Sequence, residues 1–233
     1  MPDPIDLLVN GCSFSRGPTA WPYHLNGVNV TNLACAGAGN TYIHNSTISE
    51  LSKRSYDFVA VMWSGITRID VRVNDIAQFK GSAYTSRYQS THNDWPSKKV
   101  WPVNDQDYIE QDWVFGCGFI NQEDTILKSK LFDQLYYYQD QPQLVQGLLI
   151  KMISLQSILK QMNIPYLFSY YMDYETELRS CPELYTMLDK NNIYNIQNIY
   201  DITQANDWYD EDGIHPGINA HQAWAQLIQP YIK

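Results

Sequence analysis

Ser13 lies two residues after Gly11 in the stretch Leu7 Leu8 Val9 Asn10 Gly11 Cys12 Ser13 Phe14 Ser15 Arg16 Gly17, where an apolar run stops at glycine and small turn-forming residues. Near the other end of the chain Asp212 and His215 stand three apart, flanked by Gly213 and by Pro216 and Gly217. Between them Gly37, Gly39 and Asn40 fall in a loop of small residues, where backbone can approach a ligand closely. Nucleophilic chemistry at a serine needs a hydroxyl, a base within hydrogen-bond reach, and donors for a developing oxyanion. Each requirement has a candidate on a different segment. His215 can take the Ser13 proton, and Asp212 can orient the imidazole and stabilise its cation. Taken alone each has a plain reading too, Ser13 as a helix cap and the Asp-x-x-His run as the capped start of a helix.

The elements that would position these residues follow from the apolar pattern. Residues 5–9 read as a short buried strand that delivers Ser13 onto the loop at its C-terminal end, and 28–33 as a second strand running into the loop 34–40. Residues 41–54 carry Ile43, Ile48 and Leu51 at helical spacing, and 58–63 is a continuous apolar strand ending in Ser64 Gly65 Ile66 Thr67 Arg68. Strand, loop, helix, strand is the βαβ pattern of a parallel sheet. Further on, helices are expected near 23–25, over 126–138, 143–162 and 182–189, and from 218 to 231, with strands over 164–170 and a strand or loop over 193–202. The segment from about 69 to 125 differs: Tyr84, Tyr88, Trp95, Trp101, Tyr108, Trp113 and Phe115 are scattered among polar residues without a period. The expectation is one three-layer α/β domain over 1–233, with residues 69–125 as an aromatic-rich insertion covering a site.

Composition narrows the partners. A net charge of −9 argues against a nucleic-acid backbone or an anionic membrane, and no apolar run approaches a membrane span. Pro and Asp occupy residues 1–5, where a secretion signal would need a basic region and an apolar core, so a cytoplasmic protein is expected. Cys12, Cys35, Cys117 and Cys181 are scattered, without metal-ligand spacing, and read as thiols in a reducing compartment.

Gly11 with Ser13, Gly37 to Asn40, and Asp212 with His215 resemble, in kind and order, the motifs of the SGNH (GDSL-type) hydrolase family. The resemblance covers residues 5–68 and 207–230, and the Gly-Cys-Ser-Phe form resembles uncharacterised, phage-encoded members, for which association with a virion is an alternative location. It implies a flavodoxin-like α/β/α fold and hydrolysis of carboxylic esters, with Ser13 as nucleophile, His215 as base, Asp212 as its partner and Gly37 as a backbone oxyanion donor. A carbohydrate O-acetylesterase would suit the aromatic insertion, since Trp and Tyr faces stack on sugar rings. The substrate is then a small-molecule or glycan ester, and no metal or organic cofactor is called for.

Two positions depart from the family pattern. Cys12 replaces the usual Asp before the nucleophile, and the third motif, Trp63 to Arg68, lacks the usual Asn whose side chain donates to the oxyanion. Asn40 is the expected replacement, with capping of the following helix as its other role; Ser64, Thr67 and Arg68 are the alternatives. A catalytically weak or inactive binding protein on the same fold, such as a glycan-recognition or phage-particle component, is the competing reading. His24, His44, His92 and His221 have no partners at recognisable spacing, the acidic run Asp207, Asp210, Glu211, Asp212 lacks a calcium-loop pattern, and Tyr136, Tyr137 and Tyr138 divide between core and surface.

Overall fold

The computed structural model describes residues 3–72, 113–116 and 141–232. Five strands, β1 (Ile5–Asn10), β2 (Val28–Asn32), β3 (Phe58–Trp63), β6 (Tyr166–Tyr170) and β7 (Ile193–Tyr194), form one parallel sheet in the order β2-β1-β3-β6-β7. Every residue of β3 and β6 is buried, as interior strands covered on both faces require; β3 is an unbroken apolar run, and in β6 only Ser169 interrupts the apolar residues. Period-two alternation divides these side chains between two cores. Leu8, Val59, Val61, Trp63 and Phe168 face one helical layer, whereas Leu7, Val9, Phe58, Ala60, Met62 and Leu167 face the other.

The first layer holds α1 (Asn40–Leu51) and α2 (Gln141–Gln161), the latter burying Leu148, Leu149, Met152, Leu155 and Leu159 along one stripe. Two short helices, α3 (Glu175–Arg179) and α4 (Pro182–Tyr185), add to this side through Leu178 and Leu184. The opposite layer holds α5 (Ile199–Asn206), α6 (Ile218–Ile228) and Trp21, whose 3-10 turn Trp21–His24 stands where a short helix was expected. Helices on both faces of a parallel sheet in this strand order make a three-layer, flavodoxin-like α/β/α fold. Its strand order reverses beside β1, which makes the C-terminal ends of β1 and β3 the expected place for a site.

Helix α5 corrects the expected strand or loop over 193–202, of which only Ile193–Tyr194 is strand. The Asn198 side chain caps the helix by accepting from the Asp201 N–H at 2.8 Å, and Ile199, Ile202 and Thr203 turn inward. Eight residues are too few for that period to stand out in the sequence. Helix α4 also stops at Tyr185, well short of 189, because Asp189 caps a separate 3-10 turn, Lys190–Asn192.

From the insertion, β4 (Ile69–Arg72) and β5 (Trp113–Gly116) pair antiparallel. The expected helix over 126–138, the tyrosines 136–138, His92 and Cys117 lie outside the described residues. Among the described residues, no helix is long and apolar enough to cross a membrane.

Candidate active site

Ser13 opens a 3-10 turn, Ser13–Ser15, immediately beyond β1, and is half-buried. Three groups fix the turn. The Trp21 indole N–H donates to Ser15 Oγ at 3.0 Å, the Asn32 amide donates to the Ser15 carbonyl at 2.7 Å, and Gly11 makes room: a Cβ there would fall 2.6 Å from Ser15 Oγ and 3.1 Å from the Met62 carbonyl. Cys12 lies fully buried in the core beneath, so this turn is held by Asn32 and Trp21 rather than by a side chain at position 12.

The loop after β2 hangs from the same framework. Leu33 N donates to the Val9 carbonyl at 2.8 Å and Cys35 N to the Gly11 carbonyl at 3.2 Å, so the sheet ladder continues into the loop that carries Gly37. Gly37 adopts φ 79°, a left-handed conformation that glycine takes without strain.

Asn40, the first residue of α1, is buried, and its amide is committed elsewhere. It donates to the carbonyls of Ser64 (3.1 Å) and Gly65 (3.2 Å), while its oxygen accepts from Ser64 N at 2.9 Å. This corrects the capping role expected of it, since the helix is capped at Gly39 without a side-chain bond; the Asn40 side chain instead clamps the loop after β3 to the loop after β2. Of the alternatives, Ser64 is fully buried with its hydroxyl unpartnered, and Thr67 is exposed. Arg68 is half-buried, donates from Nη1 to the Ala38 carbonyl at 3.2 Å, and lies 5.7 Å from the Tyr171 ring centroid.

Asp212 and His215 meet on the loop between α5 and α6. The His215 Nδ1 stands 2.5 Å from Asp212 Oδ2, while Asp212 Oδ1 accepts from the backbone N–H groups of Ile214 (2.8 Å) and His215 (2.9 Å). Partial burial works to raise the Asp212 carboxyl, but those two N–H groups and the imidazole outweigh it and leave it below the usual carboxylate range. The loop is closed by Asp210 N on the His215 carbonyl (2.8 Å), a Tyr209–Pro216 bridge, and Gly217 N on the Trp208 carbonyl (2.7 Å). At Gly217 a Cβ would come within 2.8 Å of the Tyr209 carbonyl oxygen, which is backbone. Gly217→Ala should therefore push this loop from its place and destabilise the fold by about 1–3 kcal/mol. A urea titration checks this, and a midpoint equal to wild type would refute it.

The structure thus joins Asp212 to His215, and His215 to the turn of Ser13 through Phe14, whose ring lies 5.5 Å from the imidazole and 4.6 Å from Tyr171. Among the described residues no hydrogen bond joins His215 to the Ser13 hydroxyl. Of the other described histidines, His24 contacts the Thr19 carbonyl, His44 contacts Asn45 and Ser154, and His221 is buried in α6, where burial and the neighbouring imidazoles of His24 and His215 lower its pKa to about 4. Asp207 ends α5 in a left-handed conformation, and Asp210 accepts from the N–H of Glu211, so two members of the acidic run are turn residues. The sequence reading missed Tyr171 and Tyr174, whose hydroxyls stand 3.5 and 3.4 Å from the position of a Cβ on Gly65. It also missed Asp70, whose carboxylate accepts from Gly39 N at 2.7 Å and from Tyr42 N at 2.9 Å.

No family profile matches the sequence, and no curated protein matches it significantly. Solved structures of esterases and lipases do resemble it in fold. A GDSL-like lipase from Bacteroides thetaiotaomicron VPI-5482 aligns over 100% of this chain and 91% of its own, with TM-score 0.50 and 12% identity. A catalytic mutant of an acetylxylan esterase from Geobacillus stearothermophilus aligns over 100% and 95%, with TM-score 0.48 and 11% identity. A psychrotrophic esterase from Pseudoalteromonas sp. aligns over 97% and 93%, with TM-score 0.47 and 10% identity. At such identities the likeness concerns architecture alone: the chain shares its three-layer α/β/α fold with the GDSL-like lipase.

Proposed function

We propose that this protein is a serine esterase acting on carboxylic esters. The observation that carries the reading is the Asp212–His215 pair, held by its own backbone and packed through Phe14 against the turn that presents Ser13. In the first half-reaction Ser13 Oγ attacks the acyl carbon, and His215 Nε2 takes its proton. His215 returns that proton to the departing alcohol as the tetrahedral intermediate collapses to an acyl-serine. Water, deprotonated by His215, then frees the carboxylic acid and restores Ser13. Asp212 holds the imidazole with its Nδ1 protonated, which leaves Nε2 as the acceptor. The Gly37 N–H serves the oxyanion, and with the Asn40 amide committed to Ser64 and Gly65, the Arg68 guanidinium beside Ala38 supplies further positive charge to that loop. The hydrogen bond from Ser13 to His215 forms as substrate seats, since such contacts are commonly long in a free enzyme.

Acetylated sugars are the substrates that the aromatic residues between 69 and 125 suit best. The test compares hydrolysis of p-nitrophenyl acetate and acetylated xylo-oligosaccharides by wild type and Ser13→Ala. Loss of about 10^6 in kcat on replacing the nucleophile is the expected result. Equal rates for the two proteins would overturn the esterase reading, and retained glycan binding without turnover would favour a binding protein on this fold.

A further inference from the structure

The loop that carries Gly37 has an anchor outside the three motifs. Asp70, the second residue of β4, is 9% exposed, and its carboxylate reaches the start of α1. Gly39 N donates to Oδ1 and Tyr42 N to Oδ2, at 2.7 and 2.9 Å, and the Thr41 N–H is a third donor to the same group. Helix α1 has no side-chain cap of its own, because its N-cap residue is Gly39. One distant carboxylate therefore takes the orphan N–H groups that a local capping residue would normally satisfy. Glycine at 39 is what admits it, since a Cβ there would fall 2.7 Å from Asp70 Oδ2.

We propose that Asp70 is a positioning residue: its buried carboxylate sets the loop that carries Gly37, and with it the aim of the oxyanion donor, while tethering the first strand of the insertion to the site. The catalytic part of this rests on the esterase reading. The charged groups around Asp70 are Arg68 on the preceding loop and Lys151 on α2; His44 of α1 faces Lys151 in turn. Burial lifts the Asp70 pKa to about 6 against the pull of its N–H donors and Arg68. The folded value stands above the unfolded one, so ionising Asp70 opposes folding: the cost is absent below about pH 4, grows as pH rises toward 6, and is complete above it.

The test uses Asp70→Asn and, as an independent perturbation from the other side of the contact, Gly39→Ala. Both should lower kcat for p-nitrophenyl acetate about ten- to a hundredfold with KM within about twofold, because the loop meets only the developing oxyanion. In Asp70→Asn, amide exchange at Gly39, Thr41 and Tyr42 should quicken about tenfold or more. The melting temperature of wild type relative to Asp70→Asn should fall between pH 4 and pH 7. Unchanged exchange, or unchanged kcat with quickened exchange, overturns the proposal. If wild type hydrolyses no ester, the esterase reading fails and exchange alone decides whether Asp70 anchors the loop.

Discussion

An Asp212→Asn variant is expected to fold as the wild type does and to hydrolyse esters about ten-thousand-fold more slowly. The reason is tautomeric rather than structural. Asp212 Oδ1 accepts from two backbone N–H groups, and Oδ2 accepts from His215 Nδ1. An asparagine can keep its oxygen on the two N–H groups, so the loop retains its turn, and its NH2 then faces Nδ1. A donor in that place forces Nδ1 to accept and moves the imidazole proton to Nε2, where it blocks the nitrogen that takes the Ser13 proton in the proposed mechanism. The side chains of Asp212 and His215 are 47% and 36% exposed, so the exchange leaves no polar group stranded in the core. Steady-state kcat on p-nitrophenyl acetate beside a thermal melt checks both halves. A variant with near wild-type kcat would remove Asp212 from the catalytic group, and one with a collapsed melt would make its role structural.

How much of this was open to a reader of the sequence depends on whether the partners of a residue are near it in the chain. The strand Phe58–Trp63 is legible because an interior parallel strand needs an unbroken apolar run, and nothing else in the chain resembles that run. Asp212 and His215 are legible because their contact spans one turn and Gly213 and Pro216 mark it. Asn40 is legible as a polar residue at a helix start, but its partners are the backbone of Ser64 and Gly65, and backbone leaves no trace in sequence. Asp70 is hidden for the same reason. Its N–H donors belong to Gly39, Thr41 and Tyr42, and the residue itself stands at the edge of a segment without periodicity. What pattern reading recovers is therefore the sheet and the local Asp212–His215 pair, and what it loses is the stitching between loops.

Asn10 belongs to that stitching, and its loss is expected to have the largest effect on stability. The residue ends β1, is fully buried, and stands just before the glycine that admits the Ser13 turn. Its amide nitrogen faces three acceptors on α1, the Ile43 carbonyl at 3.0 Å, Ser46 Oγ at 2.8 Å and Thr47 Oγ1 at 2.9 Å, while its oxygen accepts from Gly11 N at 2.8 Å. Ser46 and Thr47 each donate their hydroxyl proton to a carbonyl one turn back, at 2.7 Å, which leaves their lone pairs free for the Asn10 amide. Asn10→Ala strands the Gly11 N–H in the interior and opens a void between β1 and α1. Together these cost about 3 kcal/mol, or roughly 10 °C in melting temperature for a chain of this size. Thr47→Val, which removes one acceptor and keeps the volume, should cost about 1 kcal/mol. Urea titrations of the two variants check the order, and an Asn10→Ala midpoint equal to that of Thr47→Val would show that the network carries little. Because the same amide aligns β1 with the helix that follows Gly37, on the proposed esterase mechanism Asn10→Ala should also lower kcat at temperatures where it remains folded: the Ser13 turn and the Gly37 loop lose their shared reference.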